Sequence, residues 1–144
     1  MHPDDSSLER RQLRPELIHA EISGEIIGGF YETYNELGFG FSEITYTRAL
    51  DIVLRGRGLD VQREYPIVVN FRGQQIGFHR CDMLVERCVI VENKASELLS
   101  PIAKNQLRNY LAASKLELGL LLHFGPRANY YRILGPPSPD RHTK

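Results

Sequence analysis

Phe78-His79-Arg80-Cys81-Asp82-Met83-Leu84-Val85, a break at Glu86-Arg87, then Cys88-Val89-Ile90-Val91-Glu92-Asn93-Lys94 is the stretch around which the chain is organised. Both halves are short, rich in β-branched and apolar residues, and bounded by charged or glycine-containing segments, which predicts two strands in a tight hairpin. Side chains alternate faces along a strand, so Glu92 and Lys94 project from one side about 6.6 Å apart. By the same rule Arg80, Asp82 and Leu84 share one side of the partner strand. Two acids and a lysine then meet at one end of the sheet. Charge placed in an apolar strand is unfavourable unless it is paired or bound to a metal. Carboxylate oxygens suit a hard divalent cation such as Mg2+, which keeps waters for substrate phosphates. Such a cation acidifies a bound water and offsets phosphate charge, and Lys94 would orient that water or stabilise developing negative charge. The pattern points to phosphodiester hydrolysis.

Asp82, nine intervening residues, then Glu92-Asn93-Lys94 resembles the PD-(D/E)xK nuclease superfamily, with Cys81 standing where the signature carries proline. Upstream, Gly40-Phe41-Ser42-Glu43-Ile44-Thr45-Tyr46 resembles the signature of the small bacterial GxxExxY proteins, which are assigned to that superfamily. Downstream, Gln106-Leu107-Arg108-Asn109-Tyr110 resembles the Gln-xxx-Tyr helix motif of its RecB-like branch. The resemblance spans Ile22 to Ile133. It implies a restriction-endonuclease-like α/β core, a mixed sheet flanked by helices. It also implies a nuclease in which Asp82, Glu92 and Glu43 hold Mg2+ or Mn2+ and Lys94 assists the attacking water. Tyr46, Arg80, Gln106 and Tyr110 would support the substrate or the site. The implied partner is nucleic acid, DNA foremost, with a homodimer or a protein partner as a companion.

The 144 residues fit one domain, large enough for a core that needs no disulfide. Lysine plus arginine equal aspartate plus glutamate at 18 each, so the overall basicity common in stand-alone nucleic-acid binders is missing. Cys81 and Cys88 lack zinc-ligand spacing and read as reduced thiols. No apolar run is long enough for a membrane span, and a cytoplasmic location is expected. Residues 1–14 read as a mobile polar arm, 15–134 as the domain and 135–144 as a disordered tail.

Pro15 suits the first turn of a helix running to Glu36, whose Gly24, Gly28 and Gly29 would permit close packing on another helix. Ser42 is placed to cap a second helix reaching Arg55, with Glu43, Tyr46 and Leu50 on one face. Strands follow at 61–71, 75–85 and 88–94. Ser100-Pro101 predicts the start of a third helix, with Gln106 and Tyr110 inward and Lys104, Arg108 and Lys115 outward. Glu117–Phe124 and Tyr130–Leu134 close the sheet, the first reached by a parallel crossover. His79 alternates to the face opposite Asp82 and reads as structural or solvent-facing. Two other functions are compatible with the residues: a non-catalytic interaction module on the same fold, and a phosphohydrolase of small nucleotides.

Overall fold

A computed structural model describes residues 18–136. The expected arm at 1–14 and Pro15 lie outside the described residues, as does most of the expected tail. The elements are α1 (Ala20–Leu37), α2 (Glu43–Gly56), β1 (Val61–Phe71), β2 (Gln74–Val85), β3 (Val89–Lys94), α3 (Ala103–Ser114), β4 (Leu118–Phe124) and β5 (Ala128–Leu134). The five strands form one mixed sheet in sequence order. β1, β2 and β3 are an antiparallel meander, β4 runs parallel to β3 after the α3 crossover, and β5 returns antiparallel. This is the α/β arrangement of a restriction-endonuclease-like core. No described helix is long and apolar enough to cross a membrane.

Alternation along the inner strands produces two cores. Met83, Val85, Val89, Val91, Leu120 and Leu122 pack beneath α1 and α2 with Ile26, Phe30, Tyr46, Leu50 and Leu54. Leu84, Ile90 and Leu121 pack on the opposite face beneath Ala103, Leu107 and Leu111 of α3. β4 is buried at every position because both its faces are covered.

Gly29 is where α1 and α2 meet most closely. A Cβ there would lie 2.7 Å from Leu54 Cδ2, and Leu54 is itself fully buried. Gly29→Ala is therefore expected to destabilise the fold by about 1–3 kcal/mol through overpacking. A denaturant midpoint equal to that of the wild type would contradict this close approach.

Three terminal features differ from the sequence expectation. α1 starts at Ala20, with His19 before it in the left-handed region at φ 52°. α3 starts at Ala103, because Ser100 takes part through its carbonyl, which accepts from Ala103 N–H at 3.1 Å, leaving Pro101 in the preceding turn. Gly135, assigned to the tail, is tied to β4's entry by its N–H donating to Glu117 O at 2.9 Å.

Candidate functional site

β2 and β3 pair only from Val85↔Val89 to Met83↔Val91. Continued one step, this register sets Asp82 opposite Glu92, and two steps further it would set Arg80 opposite Lys94, a destabilising like-charge pair. The strands part before that happens. Their side chains bridge the opening: Asp82 N–H donates to Glu92 Oε1 at 2.8 Å, and Asn93 N–H donates to Asp82 Oδ2 at 2.7 Å. Each carboxylate thus spends one oxygen holding the other strand's backbone.

The same step turns β1 and β2 over. Met83 and Val85 face α1 and α2, yet Cys81 faces α3, and β1 does likewise between Val61 and Ile67. Glu64 supplies the turn with a left-handed backbone at φ 53°. This reversal corrects the expectation for His79. Instead of facing away from the acids, its Nε2 lies 3.3 Å from Glu92 Oε2, and its ring stacks on Tyr110 of α3 at 4.0 Å. Arg80 is moved the other way, out of line with Leu84. It is exposed, 3.9 Å from Glu64 and over the ring of Phe78.

Glu43 enters from the first turn of α2. Ser42 caps that helix, its side chain accepting from Thr45 N–H at 3.4 Å. Tyr46 is fully buried, stacks on Phe124 at 4.2 Å, accepts from Phe41 N–H at 3.3 Å and donates to Gly38 O. The tyrosine therefore pins the loop that delivers Glu43, and Gly40 in that loop takes φ 119°, which favours glycine. Gln106, expected inward, is exposed: Ala103, Leu107 and Leu111 form the buried stripe, and Gln106 is rotated by about 100° from Leu107. Tyr110 is half-buried against His79.

The electrostatics bind these groups into one site. Burial raises the Asp82 carboxyl, against the pull of Asn93 N–H, Lys94 and His79. Glu92, only 6% exposed, is pushed up to about 7 by burial and then by the charge of Asp82, with Lys94 opposing. Glu43 is also raised, by partial burial and Asp82, while Lys94 and Ala95 N–H pull it down. His79 is lowered by burial and by Lys94, which keeps its imidazole neutral near pH 7. Lys94 acts on all four groups. The Cys81 thiol, in the position of the signature proline, is pushed up to about 12 by burial and is no nucleophile.

The model of the PD-(D/E)XK nuclease superfamily matches residues 20–133. The chain belongs to that superfamily. Within the solved structures, this PD-(D/E)XK domain is similar to the crystal structure of SSO0001, with 25% identity and a TM-score of 0.53 over 88% of this chain. The domain spans 62% of the length of that protein. No curated protein matches the sequence significantly.

The carboxylate pair of Asp82 and Glu92 has the oxygen donors that suit a hard divalent cation. Two desolvated carboxylates repel one another, and a positive ion between them would relieve both penalties. Among the described residues no three His, Cys, Asp or Glu side chains come together so as to hold a metal ion, so Glu43, expected as a third ligand, is not gathered with Asp82 and Glu92 into one ligand set. An ion held by Asp82 and Glu92 would finish its shell with water and substrate oxygens, as Mg2+ commonly does.

The raised Glu92 carboxyl sets the sign of a pH dependence. Unfolded, it ionises near the ordinary glutamate value of 4.5; folded and metal-free, it holds its proton up to about 7. Its contribution to stability is fully present below about 4.5 and is lost as pH rises through about 7, on the order of 3 kcal/mol. Denaturant titrations in chelator should show the wild type losing stability from pH 5 to pH 8 relative to Glu92→Gln. Parallel pH profiles for the two proteins would contradict the raised carboxyl.

His79 and Asn93 were missed as site residues. Asn93 is fully buried between Glu92 and Lys94 of the motif and donates through Nδ2 to Thr47 Oγ1 at 3.0 Å, tying the motif strand to α2. Its polar side chain inside an apolar strand was a signal available in the sequence. His79 had none, since a left-handed Glu64 is not announced by residue type.

Proposed function

We propose that this protein is a metal-dependent nuclease of the GxxExxY type, hydrolysing phosphodiester bonds in nucleic acid, with DNA the first substrate to test. The observation that carries the reading is the crossed pair of Asp82 and Glu92, each raised by burial, at the parted end of β2 and β3 with Lys94 beside both.

Asp82 and Glu92 would hold Mg2+ or Mn2+, with Glu43 completing the acidic rim. Bound there, the cation supplies a more acidic water and offsets charge on the scissile phosphate. Lys94 contributes a fixed positive charge where negative charge develops, and it orients the attacking water. Neutral His79, braced by Tyr110, fixes the Glu92 carboxylate from the α3 side. Tyr46 fixes Glu43 from the other side through the Gly38–Ser42 loop. Gln106, exposed one turn before Tyr110, is free to meet the nucleic-acid backbone.

The test is incubation with labelled single- and double-stranded DNA and RNA in Mg2+, in Mn2+ and in chelator, alongside mononucleotides. Metal-dependent cutting of polymers supports the proposal. Hydrolysis of mononucleotides alone would replace it with a small-nucleotide phosphohydrolase, and no hydrolysis in any condition would leave an interaction module.

A further inference from the structure

Between Glu64 and Asp82 the chain carries no aspartate or glutamate, although its charges balance overall at 18 to 18. The same stretch holds Arg72, His79 and Arg80. β1 and β2 pair as far as Phe71↔Gln74, whereas β2 pairs with β3 only as far as Met83. The outer half of the hairpin, from Val68 to Phe78, therefore continues past the sheet as a two-stranded arm.

The arm presents large aromatic rings to solvent. Phe71 is 56% and Phe78 53% accessible, where large aromatic side chains are ordinarily mostly covered. A guanidinium lies over each ring, Arg72 at 4.9 Å from the centre of Phe71 and Arg80 at 5.5 Å from that of Phe78. Asn70, Gln74 and Gln75 add exposed amides.

We propose that this arm binds an unpaired stretch of nucleic acid, with phosphates on Arg72 and Arg80 and bases stacked on Phe71 and Phe78. The inference rests on the nuclease reading and extends it to a substrate class. Positive charge on a stretch that carries no aspartate or glutamate of its own attracts the phosphate backbone, and accessible rings offer stacking faces to bases free of a duplex. The exposed Arg80–Glu64 pair at 3.9 Å is weak enough to be exchanged for a phosphate contact. Arg80 and Phe78 stand two and four residues before Asp82, about 7 and 13 Å along the strand. A strand held on the arm thus leads into the acidic site.

The test is fluorescence anisotropy with short labelled oligonucleotides in chelator, single-stranded and duplex, over a range of salt. The wild type should prefer the single strand. Phe71→Ser/Phe78→Ser should weaken that binding at least about tenfold with the salt dependence kept. Arg72→Ser/Arg80→Ser should reduce the slope of log affinity against log salt by about 1.4. All four side chains are exposed, so thermal midpoints should match the wild type and exclude misfolding. Arm variants that bind like the wild type while the wild type cuts with metal would overturn the arm and spare the nuclease. Binding as described without cutting would support the arm and remove the nuclease. A wild type that neither binds nor cuts would overturn both. Sedimentation showing a dimer lost in the variants, with nucleic-acid affinity unchanged, would assign the arm to a second copy of this chain.

Discussion

Asp82→Asn is expected to abolish Mn2+ binding in a calorimetric titration and to lower metal-dependent cleavage by at least about a thousandfold. The substitution keeps an amide oxygen able to accept from Asn93 N–H, so the crossed strands stay tied. It removes one of two negative charges facing the cation. The remaining Glu92, relieved of the Asp82 charge that raises it, should titrate closer to an ordinary glutamate. Unchanged Mn2+ affinity would show that the cation, if any, sits elsewhere.

The largest effect on stability is expected at Tyr46. Tyr46→Ala empties a fully buried aromatic position stacked on Phe124, a loss of about 3–5 kcal/mol. It also frees Gly38 O and Phe41 N–H, the two groups that hold the loop before Glu43. Tyr46→Phe keeps the packing and loses only the hydroxyl contacts, so it should cost about 1 kcal/mol. The pair of variants separates scaffold from site. If Tyr46→Phe loses only about 1 kcal/mol of stability but cleaves more slowly, the hydroxyl acts by placing Glu43. If Tyr46→Ala is as stable as the wild type, the packing role is wrong.

Much of this architecture is written locally. Glu86 and Arg87 form the tight turn that the break between two apolar runs predicts, both in left-handed backbone, and the run through Leu121 is covered on both faces as its unbroken apolarity requires. Ser42 caps α2, and Gly28 and Gly29 of α1 mark the close approach of the two helices, whereas Gly24 faces open space. The pairing of Asp82 with Glu92 follows from strand register, which two hydrophobic faces fix strongly.

What was not legible depends on single backbone events. Strict alternation fails at Glu64 and Asp82, where both strands reverse facing, and neither residue type marks such a reversal. That one step brings His79 to Glu92 and sends Arg80 outward. Gln106 reads as inward by its spacing to Tyr110, but the α3 stripe is set by contact with Leu121 and Ile90, which lie far away in sequence. Ser100 and Pro101 have the composition of a helix start, and the backbone uses them as a turn before it.

Lys94→Ala compared with the wild type, on labelled DNA and RNA in Mg2+ or Mn2+ and again in chelator, tests the central claim most directly. In the proposed mechanism the lysine serves the attacking water without being a metal ligand, so the variant should bind Mn2+ as the wild type does and lose cutting. Cutting that survives in Lys94→Ala, or that persists in chelator, would contradict a site in which Asp82, Glu92 and Lys94 perform metal-dependent hydrolysis.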